Sequence, residues 1–130
     1  MSEIQDLLTR YATAAYEKDV EAMAAIYHND VRVFDAWGTF EYHGLVSWRA
    51  SIEGWLGSLG DESVAVTFEE VEERGPAASM FVRYAGLSAD GAELRAMTNR
   101  MSWVVEDGKV VHEHSSSPAS FETGKVILSR

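Results

Sequence analysis

The fold is decided by one stretch near the end of the chain, Asp107-Gly108-Lys109-Val110-Val111-His112-Glu113-His114-Ser115-Ser116. An Asp-Gly pair between two β-rich runs is a strong signal for a two-residue hairpin turn. Residues 93–105 read as the strand before this turn, and Val110 to Ser115 as the strand after it. The sequence therefore predicts that the chain ends in an antiparallel hairpin.

Further strands precede this hairpin. Ala89-Asp90-Gly91 predicts a second hairpin turn, after a strand from Met80 to Leu87. Val64, Val66 and Phe68 alternate with polar residues, as in a half-buried strand. The second half of the chain is thus predicted to be an antiparallel run of four strands.

The first half of the chain is mostly helical. Apolar residues at helical spacing predict a helix over residues 3–17, and Asp19 can cap a second helix that carries Tyr27 and ends at His28-Asn29-Asp30. Further elements follow: a strand from Val31 to Asp35, a turn at Ala36-Trp37-Gly38, a short strand from Thr39 to Tyr42, and a third helix from Leu45 to Leu59. The order α-α-β-β-α-β-β-β-β predicts an α+β fold, a curved sheet with helices on one face.

Composition bounds the function. The 130 residues include 11 Lys+Arg and 21 Asp+Glu, a net charge of −10, and no Cys. This charge disfavours nucleic acid and anionic membrane surfaces as partners, and the lack of Cys excludes thiol chemistry. From the chain length, we expect residues 1–130 to form a single domain. We expect this domain in the cytoplasm, because the sequence shows neither a membrane-spanning segment nor a signal peptide.

Asp35 and Tyr11 are the first candidate catalytic residues. Asp35 follows Val31 and Val33 at period two, so its carboxylate is predicted to face the interior. Apolar surroundings would raise its pKa, which suits a general base; the alternative is a structural Asp paired with an Arg or with turn N–H groups. Tyr11 lies on the apolar face of the first helix, where its hydroxyl could donate into a pocket or simply reach the surface.

Arg100, His112 and His114 are the candidate ligand-binding residues. His112 and His114 are two apart, so they share a face of the final strand. They could bind a ligand in a pocket or be structural; a metal site would need a third ligand that no pattern supplies. We expect Arg100 on the inner face of the preceding strand, where it could meet Asp35 or an anionic ligand.

Aromatic residues are expected to form the pocket walls. Trp37 lies beside Asp35 in a turn, and Trp55 lies on the third helix. Such walls suit flat, apolar ligands. Trp55 could equally pack the third helix on the sheet.

Two segments of the chain resemble the nuclear transport factor 2-like superfamily. The opening is similar to that of the ketosteroid isomerases and the ending to that of the SnoaL-like branch, with likeness also to the association domain of calcium/calmodulin-dependent kinases. The matching residues are Arg10-Tyr11, Asp19-Val20-Glu21-Ala22-Met23, Ile26-Tyr27-His28-Asn29-Asp30, Phe34-Asp35-Ala36-Trp37-Gly38 and the stretch 107–116.

The resemblance implies a cone-shaped, cystatin-like curved antiparallel sheet wrapped around three helices. It also implies a pocket at the open end and a homodimer formed through the outer sheet face. Tyr11 matches the tyrosine that donates to substrate in ketosteroid isomerases, and Asp35 the aspartate that shuttles the proton. The second acid of that family falls on Arg100, which departs from the pattern.

Two hypotheses follow. The first is a cofactor-independent isomerase or polyketide cyclase, with Asp35 as the base in proton transfer on a small apolar carbonyl compound. The second is a non-catalytic binding or assembly domain that holds a small anion or carboxylate through Arg100, His112 and His114. We expect no cofactor or metal in either, and contact between Asp35 and Arg100 would favour the second.

Overall fold

The predicted order of elements is confirmed. The computed structural model describes residues 2–128, and these contain three helices and six strands. The elements are α1 (Glu3–Glu17), α2 (Val20–Ala24), β1 (Tyr27–Phe34), β2 (Tyr42–His43), α3 (Leu45–Gly57), β3 (Ser63–Arg74), β4 (Ala77–Leu87), β5 (Glu93–Glu106) and β6 (Lys109–Ser116). The class is α+β, as predicted.

The strands form one curved, unclosed sheet in the order β2-β1-β6-β5-β4-β3. All neighbouring strands are antiparallel except β1 and β6, which pair in parallel, with Arg32 opposite His112 and Phe34 opposite His114. This parallel pair joins the first half of the chain to the final hairpin. The end of β1 therefore lies beside the end of β6.

Helix α1 is fixed at both ends. The Ser2 hydroxyl accepts a hydrogen bond from the Gln5 N–H at 3.0 Å, and Lys18 ends the helix in the left-handed conformation at φ 54°. Lys18 Nζ also donates to the carbonyl oxygens of Gly60 and Glu62, at 2.8 and 2.9 Å. One face of the helix, which includes Tyr11, is buried against the sheet.

The Asp107-Gly108 turn forms as predicted. Both residues have positive φ, 54° and 75°, as the hairpin turn favoured by Asp-Gly requires. Beyond the turn the sheet carries a bulge, because Val104 pairs with His112 but Val105 pairs with Val110. Val111 is the extra residue, and it shifts the alternation of β6 by one.

Some element boundaries differ from the prediction. Tyr27 and His28-Asn29-Asp30 belong to β1 rather than to the end of the second helix, which stops at Ala24. The short second strand is Tyr42–His43 rather than Thr39 to Tyr42. β3 continues past Phe68 to Arg74 by means of a bulge, where Glu70 has φ 51°.

The core lies between the helices and the inner face of the sheet. Trp103, Tyr27, Val31 and Val33 are almost completely buried. Burial of a large aromatic or branched side chain stabilises the fold by roughly 1.5–3 kcal/mol each. No helix within residues 2–128 is both long enough and apolar enough to span a bilayer.

Candidate functional site

A cavity of about 650 Å³ opens between the helices and the inner face of the sheet. Its apolar walls include Trp48 and Trp55 of α3 and Trp37 from the turn after β1. Trp37 is 46% exposed and therefore lies where the cavity meets solvent. Tyr11 and Asp35 also line the cavity, so four of the predicted site residues come together.

Asp35 follows the last residue of β1 and is about half buried. Ser115 Oγ donates to its Oδ1 at 3.4 Å, and the backbone N–H of Ala36 also bonds the carboxylate. Burial raises the pKa of Asp35 above its usual 3.8, and these two hydrogen bonds oppose the rise. No salt bridge joins Asp35 to a cation within residues 2–128. Asp35 is therefore an acceptor with a raised pKa and no cationic partner.

Tyr11 forms a pair with Tyr84 of β4. Their hydroxyl oxygens lie 2.9 Å apart, and both residues line the cavity. Burial raises the pKa of both phenols, so both stay protonated at neutral pH. One hydroxyl donates to the other, which leaves one proton available to a ligand oxygen.

Glu113 is a second carboxyl group in the same cavity. It is only 2% exposed, and its Oε1 accepts hydrogen bonds from the Tyr27 hydroxyl at 2.6 Å and the Trp103 indole N–H at 2.9 Å. Burial raises the pKa of Glu113 to about 7, with a smaller contribution from the negative charge of Asp35. Near neutral pH, Glu113 still holds its proton in part and can therefore act as an acid.

Asn99 adds an amide to the wall next to these acids. It is 4% exposed and lines the cavity, and its Oδ1 accepts a hydrogen bond from the Ser117 hydroxyl. This bond fixes the orientation of the amide, so the Asn99 NH₂ group is the donor that remains for a ligand.

Arg100, His112 and His114 do not face the cavity, so the prediction that they line it is wrong. Arg100 is exposed, and its Nε donates to Ser116 Oγ at 3.2 Å on the outer face of the sheet. The physical reason is the bulge at Val111, which turns Glu113 and Ser115 inward and the two histidines outward. Arg100 points outward because Met101 and Trp103 occupy the inner face of β5, so it lies on the opposite side of the sheet from Asp35 and does not pair with it.

The outer face carries its own cluster of rings. The Phe34 ring packs edge-on against His112 and His114, with centroid separations of 5.1 and 5.5 Å. The Arg32 guanidinium lies 4.9 Å from the centre of the same ring. Partial burial lowers the pKa of His112, so this histidine is neutral at neutral pH.

Sequence reasoning missed Glu113, Tyr84 and Asn99. A signal for Asn99 was present in the pattern of strand β5. In β5 one face carries Asn99, Met101 and Trp103, and the bulkier apolar face of a strand is normally the inner one. Glu113 had no such signal, because a Glu between two His residues is typical of an exposed strand.

The described part of the chain contains no cluster of side chains suited to bind a metal ion. Within residues 2–128, no three His, Asp or Glu side chains are grouped so that they could hold an ion. The polar groups of the cavity are instead carboxyl, phenol, hydroxyl and amide groups and the guanidinium of Arg95. Their chemistry is hydrogen bonding and proton transfer.

The fold and the cavity define a class of protein: an α+β cone whose open end leads to a pocket with acidic groups in its wall. Residues 8–113 match the SnoaL-like domain. The chain therefore belongs to the SnoaL-like family of the NTF2-like superfamily, as its sequence predicts.

Solved structures of this superfamily share the fold. An NTF2-like protein of unknown function from Pseudomonas putida KT2440 is 24% identical, with TM-score 0.69 over 97% of this chain and 92% of that one. An LEH-like epoxide hydrolase from M. tuberculosis is 13% identical, with TM-score 0.67 over 88% of this chain and 81% of that one. A protein from Kribbella flavida DSM 17836 described as a candidate ketosteroid isomerase is 18% identical, with TM-score 0.67 over 92% and 80%.

These likenesses show the fold and leave the reaction open, because one fold carries many activities. No curated protein matches the sequence.

Proposed function

We propose that the protein is a cofactor-independent enzyme that moves a proton on a small, largely apolar carbonyl compound, as isomerases and polyketide cyclases do. The observation that carries the proposal is the environment of Asp35. It is a carboxylate with a raised pKa in an apolar cavity, with no cationic partner among residues 2–128. Such a group is a stronger base than an Asp held in a salt bridge.

The neighbouring groups can stabilise the negative charge that proton removal creates on the substrate. When Asp35 removes a proton next to a carbonyl group, negative charge develops on the carbonyl oxygen. The Tyr11–Tyr84 pair can donate a hydrogen bond to that oxygen, and so can protonated Glu113. Donors already fixed in a dry site stabilise such charge at little cost in reorganisation.

The alternative function, a binding domain that holds an anion through Arg100, His112 and His114, loses its basis. These three residues are outside the cavity, and the acids inside would repel an anion near Asp35. A non-catalytic pocket for an uncharged ligand remains the competing hypothesis. Turnover distinguishes the two.

Exchange of α-protons tests the proposal without knowledge of the natural substrate. The protein would be incubated in D₂O with cyclohexanone or with a long-chain methyl ketone, and loss of the α-proton signal followed by NMR. We expect exchange faster than in buffer, at a rate that rises with pH as Asp35 ionises and then levels off. Exchange no faster than in buffer with either ketone would count against the enzyme.

Tyr11→Phe is expected to slow this exchange roughly 50-fold. Loss of one isolated oxyanion donor costs about a hundredfold or more, and the remaining Tyr84 hydroxyl reduces the loss. The control is Tyr16→Phe, since Tyr16 lies on the same helix and is 54% exposed. Equal α-proton exchange rates for the Tyr11 and Tyr16 variants would mean that Tyr11 has no part in the mechanism.

We also propose that the protein acts in the cytoplasm as a homodimer that pairs through the outer face of the sheet. Support comes from the Ser79 and Ser102 hydroxyls, 3.1 Å apart, and from the packed rings of Phe34, His112 and His114, which give this face neutral polar and aromatic area within an acidic protein. Sedimentation should give a dimer for the wild type and a monomer for Ser102→Glu, because the two new carboxylates would repel. A wild-type monomer at all concentrations would contradict the pairing.

A further inference from the structure

Arg95 of β5 is the one cationic side chain among the described residues that line the cavity. Its side chain is 63% exposed, whereas Asn99 and Met101, which share its face of β5, are 4% and 2% exposed. Burial thus increases along this face from Arg95 inward. Arg95 therefore lies at the rim of the cavity.

The rim and the acids are far apart. Met101 pairs with Ser115, whose hydroxyl bonds Asp35, so Met101 marks the level of the acids along β5. Met101 lies six positions along the strand from Arg95, which corresponds to roughly 20 Å at the usual rise per residue. A ligand that reaches both ends of the cavity must be elongated.

Gly86 of β4 lies beside Arg95 at the rim. The two residues pair across β4 and β5, and a Cβ on Gly86 would come within 3.4 Å of the guanidinium carbon of Arg95. Glycine inside a strand weakens it and is typical of a close approach by another group. A distance of 3.4 Å is ordinary van der Waals contact, so the Arg95 side chain lies against the backbone of β4 at Gly86.

The partner of Arg95 holds it only weakly. Its guanidinium pairs with Glu62, just before β3, and both side chains are substantially exposed. Exposed ion pairs of this kind contribute little to stability, so the guanidinium can turn to another carboxylate at small cost. Arginine binds carboxylates through two parallel N–H···O bonds, which gives both affinity and orientation.

We propose that the cavity takes an elongated, amphipathic ligand whose carboxylate is bound by Arg95 at the rim while its uncharged end reaches Asp35. The direction of entry follows from charge. The carboxylate of Asp35 repels an anionic group at its end of the cavity, and Arg95 attracts one at the other end. The inference rests on the proposed function, because it takes the inner, uncharged end as the part that reacts.

Equilibrium binding of two matched fluorescent probes tests the proposal. The probes are 11-(dansylamino)undecanoic acid and 11-(dansylamino)undecan-1-ol, which differ only at the end expected at the rim. We expect the wild type to bind the acid at least tenfold more tightly than the alcohol. Arg95→Gln should abolish that preference and leave the affinity for the alcohol unchanged.

Two further variants sharpen the result. Glu62→Gln frees Arg95 and should strengthen binding of the acid several-fold, with no change for the alcohol. Arg83→Gln is the control, because Arg83 is an arginine of β4 that pairs with Glu93 and does not line the cavity. It should retain the wild-type preference.

Either of two results would overturn the proposal: a wild type that binds both probes equally, or an Arg95→Gln variant that still prefers the acid. Binding needs no turnover. If the protein prefers the acid but exchanges no α-protons, the role of Arg95 stands and the proposed enzyme activity is wrong. If it exchanges α-protons but does not prefer the acid, the enzyme activity stands and the role of Arg95 is wrong.

Discussion

Asp35→Asn is expected to lower kcat for α-proton exchange about a thousandfold, because a positioned general base contributes roughly 10²–10⁴ to rate. Asn keeps the shape of the side chain and can still accept the hydrogen bond from Ser115. It cannot take up a proton. We therefore expect KM to change by less than about threefold, since the substitution removes proton transfer and leaves the walls of the cavity intact.

The matched control for Asp35 is Asp30→Asn. Asp30 is an exposed carboxylate on the same strand, β1, so this variant makes the same chemical change outside the cavity. It should exchange α-protons at the wild-type rate. If the Asp35 variant also kept the wild-type rate, Asp35 would be a structural residue and the proton-transfer mechanism would have no base.

Glu113 gives the second large effect, on stability. Its pKa is about 7 in the folded protein against an ordinary value of 4.5, so the folded state holds the proton up to a higher pH than the unfolded chain. Folding then takes up a proton between these values, and the free energy of unfolding falls as pH rises from about 4.5 to about 7. At about 1.4 kcal/mol per pH unit, the contribution lost across this window is roughly 3 kcal/mol.

Glu113→Gln removes this contribution. Gln mimics the protonated acid, and its oxygen can still accept from Tyr27 and Trp103. In urea unfolding, the stability of the variant relative to the wild type should therefore increase by about 3 kcal/mol between pH 4.5 and pH 7.5. Asp35 is present in both proteins, so its own raised pKa cancels in the difference.

Glu106→Gln is the control for Glu113, because Glu106 is an exposed carboxylate at the end of β5. Its stability relative to the wild type should not depend on pH across this window. The same flat result for Glu113→Gln would mean that Glu113 is ionised throughout, with an ordinary pKa in spite of its burial.

The sequence predicted the fold well because its signals are local. The Asp107-Gly108 turn needs positive φ at both positions, and Asp19 caps α2 through its bond to the Ala22 N–H at 3.0 Å. Such features depend on a few adjacent residues. The boundary between α2 and β1 was missed because Tyr27 fits either pattern, and its burial in β1 depends on pairing with the distant Val110.

The site was predicted only in part, for a physical reason. Asp35 and Tyr11 could be placed because each sits at a fixed spacing from apolar neighbours on its own element. The inward-facing side of β6 could not be predicted, because the bulge at Val111 reverses the alternation of side chains along the strand. The position of that bulge depends on how β6 pairs with β5. Because of that one extra residue, Glu113 lines the cavity and the two histidines do not.

The pKa of Asp35 in the ligand-free protein tests the central claim most directly. Titration of the side-chain carboxyl ¹³C signal by NMR, assigned by its absence from Asp35→Asn, measures it. We predict a pKa clearly above 3.8, since burial outweighs the hydrogen bonds from Ser115 and Ala36. A pKa at or below 3.8 would contradict the account, because Asp35 would then be a well-solvated or paired carboxylate and a poor base.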